Sequence, residues 1–200
     1  MVPLVRHCAP STRTCEPLAE LDQAERELAA TNRAMAAAVE RELSHARQTL
    51  RLVAESPALE NGRLDMPLLA AQVREVTRAN LGLQALALVD PRGEVALEYP
   101  PRFGAPTRIT LEPHHLKVFE TNQVVISDLH ASALDGRPSM WMDYPVWRAG
   151  RILWIVTARL DPTHFSGLMA SHLGGREAAI GTLLDSQYRD RKSTRLNSSH

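Results

Sequence analysis

One uninterrupted amphipathic stretch, from Leu18 to about Glu55, constrains the fold more than any other feature of the chain. It is rich in Ala, Glu, Arg, Leu and Gln, all good helix formers. Leu21, Leu28 and Met35 recur every seven residues, and Val39, Leu43, Ala46, Leu50 and Val53 continue at spacings of three and four. That pattern predicts one long helix, within residues 18–57, with a single apolar stripe on a polar rod. Ser56-Pro57 stops it, because the residue before proline avoids helical geometry. A stripe this narrow has two possible partners. It can lie on the rest of the domain, or it can pair with a second copy as a coiled coil, giving a homodimer through the long helix.

The elements that follow are shorter. Asn61-Gly62 marks a turn, and Asp65 with Pro67 opens a second helix whose buried face is Leu69, Val73 and Val76, with Gly82 just past its end. Leu83 to Val89 and Val95 to Tyr99 read as a hairpin around Asp90-Pro91-Arg92-Gly93, a type I turn by residue choice. Thr110 is the expected cap of a short helix running to about Thr121, with Pro113 in its first turn. Val124 to Ile126, Ser139 to Trp147 and Arg151 to Leu160 read as strands, and Ala149-Gly150 turns the last two. Ile152 to Val156 is apolar on both faces, which suits a central strand covered on both sides. Asp161-Pro162 starts a last helix buried through Phe165, Leu168 and Met169 and ended by Gly174-Gly175; Ile180 to Leu184 reads as one more strand. The order describes an α+β fold, a PAS-like antiparallel sheet with flanking helices and a long N-terminal helix.

Charge removes one class of function. The chain balances 23 basic against 23 acidic residues, so no basic field exists to hold a polyanion, and nucleic acid is not an expected partner. Apolar residues make up 44%, enough for a core. Cys8 and Cys15, both near the N-terminus, imply neither a disulfide framework nor a metal site. No stretch approaches the ~18 apolar residues of a membrane span. Gly-x-Ser-x-Gly is absent, and Gly174-Gly175 lacks the spacing and lysine of a phosphate loop. The chain is therefore expected to be no enzyme and to need no cofactor.

Binding residues are sought in polar groups that share a face with aromatic ones. Ser139, Trp141, Asp143 and Trp147 share one face of their strand, and Met140, Met142, Tyr144 and Val146 the other. A carboxylate between two tryptophans suits an amine-bearing ligand. It also reads as a surface carboxylate between packed aromatics. Arg137, just before the strand, could clamp a carboxylate or be a solvated loop residue. Asp128 and His130 face the same side of extended chain and could grip a polar ligand or simply satisfy each other. His114 and His115, as helix neighbours, point about 100° apart and read as surface histidines that cannot share a metal, with Glu112 no rescue.

The segments "LALVDPRGEVALEYP", "VVISDL", "DYPVW" and "ARLDPTHF" together resemble the membrane-distal lobe of a double Cache domain, and "GTLLDSQY" resembles the opening strand of the second lobe. The resemblance covers roughly Leu43 to Arg189. It makes residues 58–173 the distal lobe and 174–189 the start of a second. It implies an extracytoplasmic, periplasmic sensor of small ligands (amino acids, amines or carboxylates) in an inner-membrane receptor such as a sensor histidine kinase, a diguanylate cyclase or a chemoreceptor. A cytoplasmic PAS- or GAF-like regulatory domain is the alternative. The family places a transmembrane helix just before the long helix, whereas residues 1–17 are polar and proline-rich, an unstructured or misassigned start. Residues 190–200, almost without apolar content, resemble a translated sequencing-library adapter and are expected to pack against nothing.

Overall fold

The computed structural model describes residues 12–62, 64–101, 108–131, 136–173, 180–184 and 190–195. Helix α1 spans Thr12–Ala54, followed by a short 3-10 turn at Pro57–Gly62. Helix α2 spans Met66–Ala79, and its N-cap is Asp65, whose Oδ1 accepts the Leu68 N–H at 3.1 Å. Strands β1 (Leu83–Val89) and β2 (Val95–Tyr99) form the expected hairpin. Helix α3 (Pro113–Thr121) and the two-residue strands β3 (Val125–Ile126) and β4 (His130–Ala131) come next. Strands β5 (Pro138–Arg148) and β6 (Arg151–Leu160) then form the longest pair, and helix α4 spans Pro162–Leu173.

The sheet is antiparallel, in the order β2-β1-β6-β5-β3, with β4 also paired to β5. The fold is α+β with a long N-terminal helix and a PAS-like central sheet. Strand β6 is central, between β1 and β5, and its adjacent Ile155 and Val156 are both fully buried. They serve different cores. Val156 joins Leu86, Leu88, Met140, Met142 and Ala158 against Leu50 and Val53 of α1, Leu69 and Val73 of α2, and Phe165 and Met169 of α4. Ile155 joins Val89, Val125 and Val118 of α3 on the opposite face. Three helices therefore cover one face, and α3 with its flanking segments covers part of the other.

The two ends of α1 differ. From Met35 onward its stripe packs on the domain, with Leu50 and Val53 fully buried. Leu21 and Leu28 lie on the same stripe but are exposed, at 61% and 54%.

Three local expectations need correction. Thr110 does not cap α3: the cap is Glu112, whose N–H donates to His115 Nδ1 at 3.0 Å, because Pro113 occupies the first helical position and fixes the entry there. Gly82 does not close α2: the C-cap is Asn80, in extended conformation, and Gly82 gives its N–H to the Asn80 side chain. The tail expected to pack against nothing contains strand β8 (Asp190–Arg195), paired antiparallel with β7 (Ile180–Leu184) and touching α4. Backbone hydrogen bonds need no apolar pattern, so composition did not announce it. Gly174, Gly175 and the loop residues 132–135 lie outside the described residues.

Candidate functional site

Alternation along β5 divides its side chains. Met140 and Met142 enter the helix-covered core, whereas Trp141 and Asp143 face the α3 side, where Trp141 pairs with Arg159 and Asp143 with Thr157 on β6. On this side a cavity of about 800 Å³ opens over β1, β2, β5 and β6, walled by the 108–112 segment and by His115 of α3. Its polar lining includes Arg108, Glu98, Glu112, His115, Trp141, Thr157 and Arg159.

Three of these groups are buried and have no hydrogen-bond partner in the protein: Thr157 Oγ1, Trp141 Nε1 and His115 Nε2. Indole nitrogen only donates. His115 Nδ1 already accepts the Glu112 N–H, so in the neutral ring the proton sits on Nε2, which donates too. Burial pushes the His115 pKa down to about 4, with His114 and His130 adding to the fall against Asp143 and Glu112, so the neutral ring is the stable form. A buried donor without a partner costs about 1–3 kcal/mol. A ligand that brings acceptors to all three recovers that energy.

Behind the cavity wall lies a second polar group. His114 Nδ1 is 2.5 Å from Oδ2 of the fully buried Asp143. His114 Nε2 and His130 Nε2 lie 3.3 Å and 2.7 Å from Oε2 of Glu112. Burial opposes the charged form of His114, but the hydrogen bond and charge of Asp143, supported by Glu112, outweigh it and raise its pKa above the ordinary histidine value. The His114 ring stacks on Trp141, with centroids 6.2 Å apart and planes 13° from parallel.

Several expected site residues fall elsewhere. Trp147 is 43% exposed, beyond a register shift between Val146 and Trp147, and does not line the cavity. Arg137 is exposed on the approach to β5. Asp143 does not line the cavity either; it sits behind His114. Asp128 meets His130 through its backbone carbonyl, 3.0 Å from His130 Nδ1. His114 and His115 are not surface residues: they are 6% and 4% exposed, because the face of α3 that carries them is pressed onto the sheet. Thr157 and Arg159 were missed, although two polar residues two apart in the apolar run of β6 were an available signal.

The chain matches no protein-family model and no curated relative. Its fold is similar to solved ligand-binding domains of bacterial chemoreceptors. One is that of Campylobacter jejuni Tlp3 in complex with L-valine, at 13% identity and TM-score 0.64, covering 93% of this chain and 75% of that one. Another is that of Pseudomonas fluorescens CtaA in complex with L-serine, at 11% identity and TM-score 0.60, covering 84% and 72%. A third is that of Pseudomonas aeruginosa PctC in complex with GABA, at 14% identity and TM-score 0.57, covering 74% and 66%. At these identities the likeness is one of fold alone.

Proposed function

We propose that this chain is the ligand-sensing part of an extracytoplasmic bacterial receptor, and that its cavity takes a small carboxylate-bearing metabolite, an amino acid or a close relative. The observation that carries the reading is the set of buried, unpartnered groups on one cavity, Thr157 Oγ1, Trp141 Nε1 and His115 Nε2. Two of them only donate and the hydroxyl can. Unpartnered donors on lining residues select acceptors, and a carboxylate offers two oxygens with about four acceptor positions. Arg159 and Arg108 on the same wall favour that charge, and the Glu98 carboxylate on the lining favours an amine. The chemoreceptor domains of similar fold were solved with valine, serine and GABA, which share this chemistry.

In this reading the chain is the membrane-distal lobe of a double Cache domain in the periplasm, with residues 174–189 opening the second lobe. The receptor is a sensor histidine kinase; a chemoreceptor is the second reading, favoured by the solved domains of similar fold. Ligand binding acts on signalling by favouring one arrangement of sheet and α1 over another. The exposed Leu21 and Leu28 give α1 a seam for a second copy.

A thermal-shift screen of amino acids, amines and carboxylates, followed by calorimetry, tests the reading. Thr157→Val and Trp141→Phe each remove one donor with little change of shape. Each should weaken the best ligand about tenfold, the value of one lost hydrogen bond. If no compound raises the melting temperature, or both variants bind as tightly as wild type, the cavity is not the site.

A further inference from the structure

Behind that cavity, Glu112, His114 and His130 each place one potential ligand atom within 4.8 Å of the others. Hydrogen bonds fix the state of both rings. His114 Nδ1 faces Oδ2 of Asp143 at 2.5 Å, and His130 Nδ1 faces the Asp128 carbonyl at 3.0 Å. A carboxylate and a carbonyl oxygen accept, so both Nδ1 atoms carry the hydrogen. In the neutral ring each Nε2 then holds a lone pair. Both lone pairs converge on a third acceptor, Oε2 of Glu112, at 3.3 Å and 2.7 Å. Neither contact is a directed hydrogen bond: both Nε2 atoms are buried and lack a partner. Once His114 gives up its Nε2 proton, as metal binding requires, three electron-rich atoms face one another, a set that suits a cation.

We propose that Glu112, His114 and His130 form a binding site for a divalent transition-metal ion, with Zn²⁺ the best match to two imidazoles and a carboxylate. Zinc binds such ligands at about 2.0–2.2 Å, which in a tetrahedron sets neighbouring ligand atoms roughly 3.3–3.6 Å apart. The 3.3 Å separation already meets that spacing, and the 2.7 Å one must open to admit the ion. Histidines that bind metals through Nε2 characteristically give their other N–H to a carboxylate or a backbone carbonyl, and here Asp143 and Asp128 supply one of each. The neighbouring group of His114, His115 and Asp143 is also close-set, but it cannot serve: His115 Nδ1 is engaged by the Glu112 N–H and His114 Nδ1 by Asp143. Three protein ligands leave a coordination position open, and Glu112 also lines the cavity, so the site borders the ligand chamber.

The test uses the full chain with Cys8→Ser and Cys15→Ser, which removes thiolate competition, stripped with EDTA and titrated with Zn²⁺ by calorimetry in the absence of any amino acid. One ion should bind per chain, and the melting temperature should rise with Zn²⁺ and fall back with EDTA. Asp143→Asn, which changes only the orienting partner, should weaken binding about 10–100-fold. Glu112→Gln and His130→Ala, which remove ligands, should weaken it further. Substitution of Co²⁺ should give visible absorption bands that His130→Ala abolishes. A wild-type chain that binds no Zn²⁺, or variants that bind it undiminished, would overturn the site. Amino-acid binding measured in EDTA keeps the two readings separable, since the cavity donors Thr157 and Trp141 do not depend on the metal.

Discussion

His114 of α3 and Asp143 of β5 are joined by a 2.5 Å contact between Nδ1 and Oδ2, and both are buried. The pair ties the only helix on the cavity side of the sheet, among the described residues, to a strand that the opposite core also uses. Removing one partner of a buried pair leaves an uncompensated polar group. Asp143→Ala should therefore cost about 3–5 kcal/mol in urea unfolding. A cost near zero would mean that α3 is held by Val118 and its apolar neighbours alone.

Arg148, at the end of β5, donates to the carbonyls of Leu59 at 3.0 Å and Ala54 at 2.9 Å, which closes the last turn of α1 onto the sheet. Arg148→Ala frees carbonyls that α1 cannot satisfy itself. We expect a loss of about 1–3 kcal/mol, with hydrogen exchange quickened in the last turn of α1 before any other helix. Uniform loss of protection across the domain would count against a local anchor.

Gly93 has φ +84, and a Cβ there would stand 2.2 Å from the backbone oxygen of Ile109. Ile109 in turn donates its N–H to the Gly93 carbonyl at 2.8 Å. Gly93→Ala should destabilise by more than about 1 kcal/mol, through both the left-handed backbone and the displaced 108–112 segment. Because that segment walls the cavity, the same variant should weaken ligand binding. Calorimetry that finds unchanged affinity would show that the wall can move without consequence.

Leu21 and Leu28 face solvent on α1. Replacing both with Gln should leave monomer stability within about 0.5 kcal/mol. If α1 is a dimer seam, sedimentation equilibrium should shift toward monomer. An unchanged mass would assign those leucines no role in pairing.

Local chemistry determined much of this fold. The stripe on α1, Asp65 before α2, the Asp90 to Gly93 turn and Asp161 before α4 each act within a few residues, so the sequence alone places those elements. The two apolar faces of Ile155 and Val156 likewise announced a central strand. The parity of β5 put Trp141 and Asp143 on one side, but parity does not say how deep each lies. Packing decided that Asp143 is sealed behind His114 while Trp147, on the far side of a register shift, remains 43% exposed. The convergence on Glu112 was illegible for a plainer reason. His114 and His130 belong to different elements, and nothing in their spacing says that α3 will lie against β5 or that β4 will pair beside it. Adjacent histidines on a helix are surface residues or buried ones according to what covers that helix, and only the tertiary structure supplies the cover.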